Sequence, residues 1–215
     1  MHNFTERHRI KFLRILEKEL NEFEKPVILE FGVSGKALST SIFLETCNQK
    51  NGKLYSVDVV DYSYHFVSEN WKFIHSKDDN FEFIQKQIPK KFDIIYLDTI
   101  HTSNHVEKIL YNYFDMLKVG GIFVIDDTSS LPYLKNREKN NFSLEINNQE
   151  TFEKLIQIFN SNHENLLFES SFIGTGAVKL TKLNDEKLKK SYPLSNRRFS
   201  FMNLIRKIYL KFRKS

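Results

Sequence analysis

FDIIYLDTIHTSNHVEKILYNYFDMLKVGGIFVIDDT, residues 92–128, decides the fold. It begins with an apolar run, FDIIYL, that stops on Asp98, and closes with IFVI, which stops on Asp126 and Asp127. Short apolar runs of this kind read as strands buried on both faces. Between them, Val106, Ile109, Leu110, Tyr113 and Leu117 recur at helical spacing over 104–117, and Gly120 and Gly121 then end the helix. Strand, helix and strand in one short span form a parallel crossover unit.

The same alternation continues outward. Upstream, Ile10, Leu13, Ile15, Leu16 and Leu20 predict a helix over 5–20 that Pro26 closes off. VILEF (27–31) reads as a first strand, 36–50 as a helix, Asn51-Gly52 as a turn and LYSVDVV (54–60) as a second strand. A short third strand over 71–74 and a helix over 80–87 complete the first half. Downstream, the polar, Asn-rich stretch 129–150 reads as a surface loop or lid, with Thr151 as the N-cap of the helix FEKLIQIF. Two apolar-rich runs around Gly174-Thr175-Gly176 then read as a hairpin over 166–182. The expectation is an α/β, Rossmann-like, doubly wound sheet of seven strands, mostly parallel, ending in an antiparallel hairpin and covered by helices on both faces. One domain spans 1–183, with its N-terminal helix in 1–25, and a tail spans 184–215.

Composition bounds the function. A chain of 215 residues with 40% hydrophobic and 14% aromatic content is ample for a packed core. A single Cys47 excludes an internal disulfide framework, and MHNFTERHRIKF has no signal-peptide pattern, which together predict a cytoplasmic setting. No apolar run reaches the roughly 18 residues of a membrane span. The net charge of +5 conceals an asymmetry: residues 187–215 carry ten cations and no acid, so the rest of the chain is −5. A mildly acidic domain with a basic appendage points to an interaction tail rather than a basic catalytic cleft.

Ligands of open α/β sheets sit at the carboxyl ends of the strands, and here each such end is polar. Glu30 is followed by Gly32 and Gly35, where a backbone can approach a ligand, and by Ser39 in the opening turn of the next helix. Asp58 ends the second strand as an acceptor suited to a ribose diol. Asp98 ends the fourth, with His101 three residues on, and Asp126-Asp127 end the fifth. Two adjacent carboxylates cost several kcal/mol unless a cation or hydrogen-bond donors offset them.

ILEFGVSGKALS followed by LYSVD resembles the first two motifs of class I S-adenosylmethionine-dependent methyltransferases, and residues 92–128 resemble the later ones. The resemblance is strongest to metal-dependent small-molecule O-methyltransferases similar to those acting on catechols and macrolide sugars. It implies S-adenosylmethionine as cofactor, held by Glu30, Gly32, Gly35 and Ser39 around the methionine end, Asp58 at the ribose and Lys77 with Asp78 near the adenine. There the family often has Gly-Asp-Ser, whereas this chain reads His75-Ser76-Lys77-Asp78. The resemblance further implies a hard divalent cation, Mg2+, on Asp98, Asp126 and Asp127. That cation would align and acidify an acceptor hydroxyl whose proton His101 takes, with Asp98 beside it. The implied activity is O-methylation of a small hydroxylated acceptor, a sugar or glycan precursor. The alternatives are an RNA-modifying methyltransferase, for which the basic tail is the sole support, and a noncatalytic cofactor-binding member.

In the tail, Phe201, Leu204, Ile205, Ile208 and Phe212 fall on one helical face, with Arg206, Lys207, Lys211 and Lys214 largely outside it. Such a helix suits an anionic membrane surface, peripheral to the inner face, or packing on a second subunit or on the domain itself. Nucleic acid ranks last, because the tail has no recognised binding motif. Exposed aromatics among 20 Phe would fit a homodimer.

Overall fold

The computed structural model describes residues 15–129, 142–194 and 200–213. Its strands are β1 (Val27–Phe31), β2 (Lys53–Asp58), β3 (Trp71–His75), β4 (Phe92–Leu97), β5 (Leu117–Asp126), β6 (Leu166–Ser171) and β7 (Ala177–Lys182). Its helices are α1 (15–22), α2 (Leu38–Lys50), α3 (Phe81–Gln85), α4 (Ser103–Tyr113), α5 (Phe142–Asn162) and α6 (Phe201–Phe212). The seven strands form one sheet in the order β3-β2-β1-β4-β5-β7-β6. β1 to β5 pair in parallel, while β7 runs antiparallel to both β5 and β6. This is the Rossmann-like, doubly wound, mostly parallel seven-stranded topology expected from the sequence.

Alternation along the strands divides the core between the two faces of the sheet. Leu29, Phe31, Ile95, Leu97, Phe123 and Ile125 meet Val106, Ile109, Leu110 and Tyr113 of α4 and Leu155 and Ile158 of α5. Ile28, Ile94, Tyr96, Ile122 and Val124 meet Phe43, Leu44 and Cys47 of α2 and Leu16 and Leu20 of α1. Each buried aliphatic or aromatic side chain contributes about 1.5–3 kcal/mol relative to exposure, so β4 and β5, apolar on both faces, anchor the centre. Strand order reverses between β1 and β4, and ligands bind at such a point outside the carboxyl ends.

Three sequence expectations are corrected. Gly120 and Gly121 do not end a helix but lie inside β5, which starts at Leu117. They serve a bulge in the β4–β5 ladder: Gly120 takes φ +82°, and a Cβ on Gly121 would meet the carbonyl oxygens of Asp93 and Lys118 at 3.0 Å. Residues 142–150, read as part of a loop or lid, are the first turns of α5. Thr151, read as an N-cap, is accordingly a buried residue within that helix. The buried stripe Asn148, Thr151, Leu155, Ile158 has helical spacing, but its first two members are polar and obscured the period. The predicted helix over 5–20 is described from residue 15, and its earlier part, like 130–141, lies outside the described residues. Among the described residues no helix is long and apolar enough to cross a membrane.

Candidate active site

At the end of β1 the chain turns over the end of β4. The amide of Asp98 donates to Phe31 O, and that of Gly32 to Val57 O, both at 2.9 Å. Ser34 and Ala37 hold left-handed φ values of 58° and 44°, so the loop is a tight, partly strained bend that delivers the start of α2 above β1.

Glu30 lies beneath this bend, fully buried. Ser39 Oγ donates to its Oε1 at 2.6 Å and Ser56 Oγ to its Oε2 at 2.7 Å, while Trp71 Nε1 donates to Ser56 Oγ at 3.0 Å. Burial pushes the Glu30 carboxyl up to about 7, overcoming the hydrogen bonds from Ser39 and Ser56 that favour its charged form. Glu30 and Ser39 thus brace the loop from below. Asp58 braces it from the side, accepting from the Val33 amide at 2.8 Å and the Ser34 amide at 3.4 Å through Oδ2, and from the Val60 amide at 2.9 Å through Oδ1.

This burial predicts a pH effect. The unfolded carboxylate titrates near 4.3, whereas the folded one retains its proton up to about 7. Between those values only the unfolded chain loses the proton, so rising pH favours unfolding. The Glu30 contribution is therefore fully present below about pH 4 and is lost as pH rises through 7. A shift of that size is worth roughly 3 kcal/mol. Urea unfolding of Glu30→Gln against the parent, at pH values from 4.5 to 8, should show the variant gaining about 2–3 kcal/mol relative to the parent across the range. A constant difference would refute the buried-carboxyl account.

The β3 end is organised differently. Thr99 Oγ1 and His105 Nε2 both bond Asp78 Oδ2, at 2.5 and 2.7 Å, and the Tyr113 hydroxyl donates to Asp78 O at 3.3 Å. Asp78 therefore ties the β3 loop to β4 and α4, with Lys77 exposed beside it. His105 is part of this lock, its side chain only 12% exposed.

The acids at the ends of β4 and β5 come together around His101. Its Nε2 is 3.4 Å from Asp98 Oδ1 and 3.6 Å from Asp127 Oδ2. Burial holds the imidazolium down, but the hydrogen bond it donates to Asp98 and the charge of Asp127 outweigh it, so the ring keeps its proton above the ordinary range. Asp126 accepts from the Tyr96 hydroxyl at 3.0 Å and from the Asp127 amide at 2.8 Å. Burial, then the charge of Asp126, holds the Tyr96 phenol well above its usual value, so it acts as a donor. Asp127 itself takes φ +55°, a left-handed conformation that aspartate tolerates better than most residues.

Two α5 residues reach the same place. Thr151 Oγ1 donates to His101 O at 3.4 Å. The Asn148 amide, oriented so that both its atoms find suitable neighbours, donates to the carbonyls of Asp127 and Leu144 at 2.9 Å. Sequence reasoning missed Tyr96, Asn148 and Thr151. A tyrosine in the otherwise aliphatic run IIYL was the available signal for the first, while the loop reading of 129–150 hid the other two.

The three aspartates are thus neighbours, but among the described residues no three acid, imidazole or thiol groups already converge as a coordination shell. His101 and Tyr96 supply the compensation instead. In donor chemistry, three carboxylates at adjacent strand ends fit a hard, oxygen-seeking cation.

The model of a family described as "Methyltransferase domain" matches residues 29–128. No curated protein matches the chain. Among solved structures, the chain is similar to MycE methyltransferase from the mycinamycin biosynthetic pathway in complex with Mg, SAH and mycinamycin VI. Identity is 18% over 86% of this chain and 51% of that one, with a TM-score of 0.58. It is also similar to the SAH-bound methyltransferase PaMTH1 of Podospora anserina, at 13% identity over 74% and 72% of the two chains and a TM-score of 0.57. A Staphylococcus aureus structure bearing the name caffeoyl-CoA O-methyltransferase aligns at 14% identity over 81% and 82%, with a TM-score of 0.58. The chain spans about half the length of MycE.

Proposed function

We propose, from the match of residues 29–128 to the methyltransferase-domain family model and from the doubly wound sheet, that the chain transfers a methyl group from S-adenosylmethionine to a hydroxyl of a small acceptor, a sugar or glycan precursor. The observation that carries this reading is His101, set between Asp98 and Asp127 at the strand ends beside the glycine loop.

Gly32 and Gly35, on the loop that Glu30, Ser39 and Asp58 brace, would hold the cofactor's methionine end, and Asp58 would hold its ribose. Lys77 and Asp78 border the adenine side. When bound, S-adenosylmethionine would supply the sulfonium methyl group for the acceptor oxygen and would depart as the neutral thioether. The hydroxyl proton passes to His101 Nε2. For that, the imidazole must first be neutral, which Asp98 and Asp127 oppose while both are uncompensated. Asp98, Asp126 and Asp127 are the residues that would hold Mg2+, which when bound supplies a Lewis acid for the acceptor hydroxyl. With their charges offset, Asp98 and Asp127 would orient the His101 ring rather than hold its proton. The structural likeness to MycE, whose complex contains Mg and SAH, supports both groups.

Calorimetric titration with S-adenosylhomocysteine tests the cofactor, with a micromolar Kd as the expected result. An acceptor screen with and without Mg2+ tests the rest. Turnover should disappear on adding EDTA, and Asp126→Ala should lower it roughly ten- to a hundredfold with S-adenosylhomocysteine affinity retained. Full activity in that variant would remove the metal from the reading.

A further inference from the structure

We infer that α6 is a docking element for the surface of a bilayer rich in anionic lipid, an inference that goes beyond the methyl-transfer reading and does not rest on it. Not one of the twelve residues of α6 is buried. Phe201 and Phe212 at its two ends are 73% and 75% exposed, and Leu204, Ile205, Ile208 and Tyr209 between them are exposed as well. A helix of this length is marginal in water on its own, because helices of about 12–15 residues draw most of their stability from covering an apolar face. This face is therefore made to be covered.

The arrangement of charge identifies the cover. At 3.6 residues per turn, Phe201, Leu204, Ile205, Ile208 and Phe212 form one stripe, bordered by Met202 and Tyr209. Arg206 and Arg213 flank the stripe on one side and Lys207 and Lys211 on the other. With the stripe lowered into the acyl boundary, both cation rows lie at headgroup depth, where long basic side chains snorkel to phosphates. No acid occurs anywhere in 187–215 to oppose a negative surface, whereas the rest of the chain is net negative and would be repelled. Lipid attraction is thereby confined to the tail, which sets how the protein sits. A nucleic-acid strand would engage the cations but would leave the apolar stripe on the other side of the helix uncovered. Ser200 caps the helix, its side chain accepting from the Asn203 amide, so its first turn is defined before contact.

Co-sedimentation of the full chain with vesicles tests this, using one set of phosphatidylcholine alone and one with about a third phosphatidylglycerol. The chain should pellet with the second set and stay in the supernatant with the first. Ile208→Asp should weaken binding at least about tenfold by breaking the stripe, and raising salt from about 0.1 to about 0.5 M should weaken it through shorter screening. A combined Lys207→Gln, Lys211→Gln variant should weaken anionic binding without altering the helix content of the tail. Because α6 adds nothing to the core, all variants should melt with the parent and keep its S-adenosylhomocysteine affinity, which separates failure here from failure of the catalytic reading. Equal binding to both vesicle sets, or binding unchanged by Ile208→Asp, would overturn the inference. So would a dimer in sedimentation velocity that Ile208→Asp dissolves without any lipid binding in the parent, or capture of an RNA homopolymer in its place.

Discussion

His101→Ala should lower methyl transfer by roughly 100- to 10,000-fold, the range over which a positioned general base acts, while affinity for S-adenosylhomocysteine stays near that of the parent. The ring touches the two carboxylates rather than the glycine loop, so its loss falls on the chemical step and leaves the cofactor's contacts alone. His101 precedes α4, and the backbone there remains held by the Thr151 hydroxyl on its carbonyl. Single-turnover kinetics with saturating cofactor checks this. Added imidazole should restore part of the rate by entering the space the ring vacates, and His101→Gln, which keeps a polar contact with the acids but takes no proton, should not. If the Ala variant retained the parent rate, His101 would be an orienting or charge-compensating group and the base would lie elsewhere.

Gly32→Ala should be the most damaging single change to stability. Gly32 has φ +95°, and a Cβ there would lie 2.0 Å from the backbone oxygen of Asp98. That oxygen cannot step aside, because the Asp98 amide is fixed to Phe31 O at 2.9 Å. The chain must therefore pull β1 away from β4 at the central seam of the sheet. A cost of about 3–5 kcal/mol follows, or roughly 10 °C in Tm for a protein of this size, and poor soluble yield. Gly35→Ala offers the control: no atom lies within 4 Å of its added Cβ, so the melting temperature should hardly move. Open space above the loop is where the cofactor is proposed to lie, and this variant should instead lose S-adenosylhomocysteine affinity. Equal melting temperatures for the Gly32→Ala and parent proteins would refute the close approach.

Legibility in the sequence followed how local the determinants were. β4 and β5 were readable because both faces are apolar, which leaves few interpretations of IIYL or IFVI. The acids ending the strands were readable because a charge after such a run has to lie at the sheet's rim. Glu30 was legible as a residue of the site, but its depth was not: a carboxylate sealed under a loop depends on Ser56, a neighbour brought in by strand pairing. His105 went the same way, since its partner Asp78 arrives from another loop. α5 was shortened because Asn148 and Thr151 occupy core-facing positions with polar groups, and a hydrophobic period is blind to residues that are buried for their hydrogen bonds. Gly120 and Gly121 misled for a related reason. A bulge and a helix stop call for the same residue, and only the opposite strand distinguishes them.

The strand order has a consequence for how the chain is made. β1 pairs with β2 on one side, yet its other edge is completed only by β4, with Ile28 opposite Ile94. On the ribosome, synthesis at about 5–20 residues per second leaves the VILEF edge open for roughly 1–4 seconds after β2 and β3 have emerged. That edge is apolar apart from Glu30, the kind that templates pairing with another nascent chain. Fragments ending before residue 97 should accordingly collect in inclusion bodies, and slow codons placed just upstream of β4 should lower soluble yield more than the same codons placed after β5.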